Sequence, residues 1–568
     1  IPNNSKSPLT TKDGNGNNET HTTSNTVVVT SDNPEAIKDV ELGGNVIGDT
    51  PNSITGKSIA EGSIVTWPMS VGKLSANRSQ DVLRHVEKDT LDSNLTFVGY
   101  KAYLMDANGK AQDVTDHISL TQNGQELTFT DDDYLLGLYN KDKSQRFTLP
   151  IIDLVTKANG ESKTIPNNFV SEFTFTDGKG NTVTSVTSNT VSVSTSGNKS
   201  TKDVELGGNV IGDTAASANG QTVPDGSVIT WPLSVSDLPA NRAQDMTAHK
   251  ITDHLNDDLN YVSYKAYLKG ADGKLQDVTD HVKLTQDGQE LTFTDDDYLL
   301  KLYNSQKDKD VALPIIDLVT KANGDAQLIP NNFDNEYDFN DGDGNTVTKS
   351  TSNTVTIKTP KASNPVKSET DENGNDLNRK EVKDNQVMNF KLTWDFSNYK
   401  GVTTTPDMIK KGFYFLDPLD ANALKVGDLN KAEVLDQNSN KVSGISFHEY
   451  DKLSDAPETI QQEVKDNNLT ALFNVPFVVA QADDPEAFFN SYVKTGSKLT
   501  VEFPAEVKDN FVGEFQNTAY QLAFGKAKAT NTVTNYVQPK LKEKTPTSEK
   551  PAEPVAVETS EIGTSEPL

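Results

Sequence analysis

"KDVELGGNVIGDT" runs from Lys38 to Thr50 and returns unchanged from Lys202 to Thr214. An identity of that length, 164 residues apart, marks an internal repeat, and a repeat decides architecture before any single element does. The same interval recurs along the chain. "IPNN" begins at Ile1, Ile165 and Ile329, and "TSNTV" at Thr23, Thr187 and Thr351. Trp67 in "VTWPMS" answers Trp231 in "ITWPLS", and "PIIDLVTKANG" starts at 150 and again at 314. No net insertion or deletion breaks the register. Residues 35–198 and 199–362 are therefore two complete copies, and 1–34 reads as the C-terminal tail of a truncated copy.

A third unit, 363–540, has a different sequence and the same outline. It opens with "NPVKSETDENG", carries a Trp strand in "FKLTWDFS" and closes with "ATNTVTNYV". Residues 541–568 are rich in Pro, Glu, Lys, Ser and Thr and contain no aromatic residue. Such a segment cannot bury enough apolar area to offset its ordering entropy, so a disordered tail is expected.

The period-two pattern predicts strands. "SVITWPLSV", "LNYVSYKAYL", "VKLTQDGQELTFT" and "NTVTIKT" alternate polar and apolar side chains. "TQNGQ" and "TQDGQ" are hairpin signals of the type I′ kind. "TDDDYLLKLYN" predicts one short helix behind Asp caps. Longer helical patterns lie in the third unit, in "SDAPETIQQEVKDN" and "DDPEAFFNSYVKTG". The expected fold is mainly β: tandem immunoglobulin-like sandwiches with short helical insertions, forming an elongated rod.

Composition sets limits. The 568 residues are 34% hydrophobic with a net charge of −29, which suits several small cores and disfavours contact with nucleic acid phosphates. There is no cysteine, so no disulfide staples these domains. No apolar run reaches membrane-spanning length, and no stretch of these residues reads as a signal peptide. The abrupt start at "IPNN" reads as a piece cut from something longer.

The lysine that opens each repeat raises the chemical question. Lys38 begins the first strand and Asn189 lies in the last; Lys202 and Asn353 are the same pair in copy two; Lys367 and Asn531 stand in those places in the third unit. First and last strands of a sandwich often adjoin, so amine and carboxamide are expected to meet inside. Burial keeps an amine neutral and nucleophilic. A buried carboxylic acid would polarise the amide and protonate the departing ammonia. Asp89 and Asp253 follow their lysines by 51 residues and Asp417 follows Lys367 by 50, which makes them the candidate assisting acids. The bland alternative stays open at this point: lysine at a strand start ordinarily protects a sheet edge in solvent, and Asn-Thr is common in polar strands.

Other signals are weaker. "NDGDGN" at 340–345 resembles a calcium loop, but copy one has "TDGKGN" there, with Lys179 where a cation would want Asp343, so a hairpin turn is expected. "TDDD" at 130–133 and 294–297 reads as helix capping. The histidines have no metal-ligand spacing, no cofactor fingerprint occurs, and Arg-Gly-Asp is absent. No metal, no cofactor and no activity on an external substrate are expected.

The segments "NPVK", "LTWDFSNYKG", "IKKGFYFLDPLDANAL", "ADDPEAFFNSYVKTG" and "YQLAFGKAKATNTVTNYV" closely resemble a C-terminal domain of the antigen I/II surface adhesins of streptococci. The repeats, through "STKDV", "VPDGSVITWPLSVSDLPANRAQ", "ITDHL" and "TSNTVTIKTP", resemble the following C-terminal domain of that family. Together they look like the stalk of a wall-anchored aggregation adhesin of Gram-positive cocci. The resemblance implies Lys–Asn isopeptide bonds assisted by Asp, with roles falling on Lys38, Asp89 and Asn189; on Lys202, Asp253 and Asn353; and on Lys367, Asp417 and Asn531. Copy one departs from the pattern, since "VEKDTL" puts Glu87 and Lys88 beside Asp89; in the truncated copy, Asn25 is expected to have lost its partner lysine to the truncation. The resemblance also implies an extracellular location, an anchor to the bacterial cell wall outside this fragment, and contact with other cells through an N-terminal head not present in it. Roles in cell aggregation, conjugative mating, biofilm and host adhesion follow, with ligand binding by the Ig-like domains themselves as the alternative.

Overall fold

The computed structural model describes residues 2–29, 34–44, 52–161, 163–208, 216–325, 328–341, 344–361 and 363–541. The tail expected to be disordered lies, beyond Leu541, outside them. The chain divides into two compact units, one of Ile1–Ala362 with Gly401–Pro406 and one of Ser363–Lys400 with Asp407–Leu568. Among the described residues no helix is long and apolar enough to cross a membrane.

Within the first unit each repeat is a two-sheet sandwich. In copy one the first sheet runs Ala36–Lys38, Ile64–Val71, Ile151–Ala158, Leu95–Met105, Ala111–Asp113. The second runs Ile118–Asn123, Glu126–Asp131, Val82–Thr90, Phe169–Asp177, Gly180–Thr187. Alternation dictates the packing: on Phe169–Asp177, Phe169, Ser171, Phe173 and Phe175 turn inward. They meet Trp67 and Leu154 of the facing sheet in one buried cluster. The Trp67 indole N–H donates to Thr156 Oγ1 at 2.8 Å, so the largest core side chain keeps its polar group satisfied. Copy two repeats this plan, with Trp231 donating to Thr320 at 2.8 Å. A small additional pairing joins Thr164–Asn167 to Val191–Ser196, and Leu328–Asn331 to Val355–Lys358 in copy two.

The short helices form where the Asp caps predict them. Asp133–Lys141 is capped by Asp132, whose carboxylate accepts from Leu135 N, and Asp297–Ser305 by Asp296. The hairpins differ in detail from expectation. Asn123 pairs with Glu126, so Gly124 and Gln125 form the loop, and only the glycine has positive φ, at 60°. That is the position glycine takes in a type II′ loop, rather than the Asn-Gly pair of type I′.

Pro2–Lys12 and Asn18–Val28 form a hairpin exposed along its whole length. It pairs Lys6 with Ser24, whereas the corresponding hairpin of copy one pairs Val170 with Thr187. This is a one-residue slip, as expected for a hairpin with no buried face to specify register.

The two copies meet through a small bonded junction. Ser58 N donates to Asn241 O and Ala243 N to Ser58 O, both at 2.9 Å. The buried Gln244 side chain accepts from Ala60 N at 2.8 Å and donates to Ser63 Oγ at 3.0 Å.

The second unit is a third sandwich. One sheet runs Val366–Thr370, Val387–Asp395, Lys498–Val507, Leu424–Val426; the other runs Ile445–Tyr450, Phe477–Ala482, Phe413–Pro418, Tyr520–Ala523, Lys526–Ala529. Its helical patterns become the α-helix Glu458–Asp466 and a short turn, Pro485–Phe488, that continues into π-helix over Phe489–Val493.

Candidate functional site

Lys38 ends a three-residue strand whose alternation turns its side chain into the core. Only 1% of Lys38 is exposed, and none of Asp89, the residue its amine reaches. Asp89 is there because it alternates inward on Val82–Thr90 with His85 and Glu87. The walls are aromatic: Lys38 Nζ lies 5.9 Å from the Trp67 ring centroid and 5.7 Å from that of Phe169. Lys202 and Asp253 form the same buried pair, with the Lys202 amine 5.5 Å from the Trp231 ring and 5.8 Å from the Phe333 ring, and so do Lys367 and Asp417, where Phe390 closes to 4.0 Å. Removal from water disfavours both charges. Burial pushes each lysine amine down against the pull of its aspartate, and pushes each aspartate up against the pull of its lysine. Each pair is thus driven toward a neutral amine beside a neutral acid.

The structure brings lysine and aspartate together in all three units but places the expected asparagines elsewhere. Asn189 is an exposed residue. Its carboxamide grips the backbone of Lys38: Oδ1 accepts from Lys38 N at 2.8 Å and Nδ2 donates to Lys38 O at 2.9 Å. Asn353 holds Lys202, and Asn531 holds Lys367, in the same two-bond manner. The physical reason is the pleat. Along this short stretch the odd-numbered positions bond to the Trp strand, with Gly72 N donating to Glu35 O and Asp39 N to Pro68 O, so the N–H and C=O of Lys38 face the open edge. A carboxamide reaching that edge meets backbone, while the amine points inward.

A different asparagine occupies the interior. Asn167 ends the strand Thr164–Asn167, two residues before Phe169, which pairs with Asp89. It is 3% exposed and lies close enough to Asp89 to favour the charged form of that acid against burial. Yet neither Asn167 Oδ1 nor Nδ2 makes a hydrogen bond of ordinary geometry, and Asp89 Oδ1 also lacks one. Asn331 beside Asp253 repeats this. In the third unit Asn517 lies beside Asp417, its Nδ2 donating to Pro418 O at 3.0 Å and its Oδ1 unpartnered. A buried amide without partners is costly and rare, and needs an explanation.

Sequence reading passed over Asn167, Asn331 and Asn517. "IPNN" was visible as a marker of the period, but the third unit has "FQNTAY" at that place, so no shared motif exposed the role. It also passed over a second buried network. His85 Nδ1 lies 2.8 Å from Asp131 Oδ2, which also accepts from the Tyr139 hydroxyl; copy two has His249, Asp295 and Tyr303 there. "TDDD" therefore divides its work: Asp132 caps the helix, while Asp131 points into the core. In copy one burial holds the Glu87 carboxyl well above the usual range. In the third unit burial pushes Glu369 up to about 7.

The weaker motifs resolve as local structure. Asp177 accepts from Lys179 N and the Thr182 hydroxyl, both at 2.9 Å, within its own hairpin. Asp343 lies outside the described residues. Among the described residues no group of three or more His, Cys, Asp or Glu is arranged to hold a metal ion.

Comparison with known proteins matches residues 365–537 to the cell surface antigen I/II C2 terminal domain and residues 199–360 to the cell surface antigen C-terminus. The chain carries antigen I/II-type C-terminal domains. The aggregation substance of Enterococcus faecalis (strain ATCC 700802 / V583) is 26% identical over 492 residues. That match covers 80% of this chain and 32% of the relative, so the chain spans about a third of that protein's length. Among solved structures, the C-terminal domain of the Streptococcus pyogenes antigen I/II-family protein AspA is 17% identical with a TM-score of 0.42, over 57% of this chain and 99% of that one. The C-terminal domain of the Streptococcus agalactiae AgI/II polypeptide BspA, also 17% identical over the same shares, has a TM-score of 0.40.

Proposed function

We propose that this chain is the stalk of a cell-wall-anchored bacterial surface adhesin, and that each of its antigen I/II-type domains is closed by an isopeptide bond. The bonds join Lys38 to Asn167, Lys202 to Asn331 and Lys367 to Asn517. One observation carries the reading: three times, a buried lysine biased toward neutrality touches a buried aspartate that lies beside a carboxamide with unmet hydrogen-bonding capacity.

The chemistry is self-contained. The lysine lone pair adds to the asparagine Cγ. The protonated aspartate polarises the amide oxygen and relays a proton to the leaving nitrogen. One C–N bond forms, one breaks, ammonia departs, and the acid ends protonated as it began. The aromatic walls exclude water, which would otherwise charge the amine. The domains act on themselves and on no external substrate.

The bond in each repeat closes a loop of about 130 residues, which the chain-entropy estimate values at about 5 kcal/mol. It also replaces the disulfides that a chain without cysteine lacks. In this reading the protein works outside the cell, where it links an adhesive head to the wall and holds cells together under shear during aggregation, mating, biofilm growth and host adhesion. Intact-mass spectrometry tests it. Three bonds make the chain lighter than its sequence by three ammonias, about 51 Da, and an unshifted mass refutes the reading.

A further inference from the structure

The Asn189 clamp lies outside the proposed bond, yet it recurs in all three units. Around it sits a tripeptide with contacts on two sides. On the donor side, Asn189 holds both backbone polar groups of Lys38. On the acceptor side, Ser188 N donates to Phe169 O at 2.9 Å, and Phe169 N donates to Ser188 Oγ at 3.0 Å. The Ser188 hydroxyl in turn donates to Asn189 O at 2.9 Å. Asn168 Nδ2 donates to Thr190 Oγ1 at 3.3 Å. Asn168 and Phe169 are the two residues that follow the acceptor Asn167.

The third unit builds the same device from other residues. Thr530 N donates to Ala519 O at 2.8 Å and Ala519 N to Thr530 Oγ1 at 3.0 Å; the Thr530 hydroxyl donates to Asn531 O at 2.9 Å. Thr518 and Thr532 share a hydroxyl bond at 2.7 Å. Thr518 and Ala519 again follow the acceptor, here Asn517. Copy two, with Ser352, Asn353 and Thr354, follows copy one bond for bond.

We infer that this Ser/Thr-Asn-Thr tripeptide is a splint that sets the distance between donor and acceptor, and that Asn189, Asn353 and Asn531 are positioning residues for amide formation. The inference rests on the isopeptide reading. Attack requires the amine near contact distance from Cγ, and a displacement of about 1 Å costs on the order of a hundredfold in rate. The donor strand of copy one is only three residues long and is paired along one edge; the splint supplies the other edge. A single rigid piece thus fixes the Cα of the lysine against the backbone that follows the acceptor.

The test uses the full chain, pulse-labelled during cell-free synthesis because a formed amide survives unfolding, with bond formation timed by mass from the moment of synthesis and assigned to a unit by proteolysis. Asn353→Ala is expected to form the second bond about tenfold or more slowly, while the first and third bonds form at the wild-type rate and serve as internal controls. Asn353→Asp keeps the acceptor for Lys202 N and loses the donor to Lys202 O, so it should fall between the two. The slowing should persist at every pH, because the splint alters geometry and not the titration of the pair. Wild-type rates in Asn353→Ala overturn the inference; should that variant leave copy two unfolded, a wild-type rate in Asn353→Asp overturns it instead. Asn331→Ala separates the two claims: a second bond that still forms in that variant refutes the acceptor assignment itself.

Discussion

The two repeats are nearly one sequence, yet they surround the same reactive pair differently. Copy one carries "HVEKDT" on the strand that bears Asp89; copy two carries "HKITDH" on the strand that bears Asp253. The inward positions read His85, Glu87, Asp89 against His249, Ile251, Asp253. In copy two, Ile251 insulates the lysine site from the histidine network. In copy one, Glu87 stands between them, 4.0 Å from His85 Nε2 and within the field of Lys38. The partner of the histidine also changes, from Ser171 at 3.0 Å to Asn335 at 2.8 Å. Lysine, aspartate, interior asparagine and splint are the same in both. What the two copies keep in common is the set of groups that a cross-link requires, and what they vary lies one residue away from it.

Four substitutions or conditions break or sharpen that comparison. The largest effect is expected from removing one acceptor. With the bond in place, tension on copy two can release only the segment from Asn331 to the end of the repeat, about 10 nm of extended chain. Asn331→Ala should expose the whole repeat, giving single-molecule length increments of about 55 nm and a loss of about 5 kcal/mol in stability, while copy one keeps its short step. The third unit, whose acceptor lies closer to its C-terminal end, should give a shorter step of about 8 nm. Force spectroscopy reads all three.

Next comes the assisting acid. Asp253→Ala leaves Lys202 buried without a proton donor nearby, and bond formation in copy two should slow by about a hundredfold to ten-thousandfold, measured by mass against time after synthesis. Third is the residue that distinguishes the copies. Glu87→Ile gives copy one the interior of copy two and should stabilise it by about 1–3 kcal/mol at neutral pH, seen in its thermal midpoint. The sign follows from a folded pKa raised above the unfolded value. The ionisation part of that cost is absent below the unfolded pKa, and copy one loses stability as pH rises through the folded one, so the gain from the substitution should shrink in acid.

The smallest effect concerns His249. Burial opposes its charge, but the Asp295 carboxylate and the hydrogen bonds that Asp295 and Asn335 accept outweigh that and raise its pKa. Its contribution is therefore complete below the unfolded pKa and is lost as pH rises through the higher folded one. Copy two should show this decline in a pH series of thermal melts, and Asn335→Ser should weaken it.

Much of the fold was legible because alternation and a 164-residue period are properties of sequence alone. The immunoglobulin-like sandwiches, the Asp-capped helices and the Trp strands follow from patterns that local physics enforces. The site was legible only in part. A lysine on an alternating strand and an acid some 50 residues later both point inward because each obeys its own strand's period. The asparagine was not legible, since two asparagines per unit satisfy the same outline. Choosing between Asn167 and Asn189 depends on which edge of a three-residue strand is free, and that is a tertiary fact. The shared "NTV" favoured Asn189 because a splint that binds backbone can keep one motif in all three units, while the proposed acceptor sits in "IPNN" twice and "FQNTAY" once.

The central claim is a covalent bond between an inward lysine and an interior asparagine. Tandem mass spectrometry of the proteolysed chain tests it most directly. The account predicts a branched peptide joining Lys202 to Asn331, lighter by one ammonia, with Asn353 in an unmodified peptide. An unmodified Lys202 peptide, or one joined to Asn353, would contradict it.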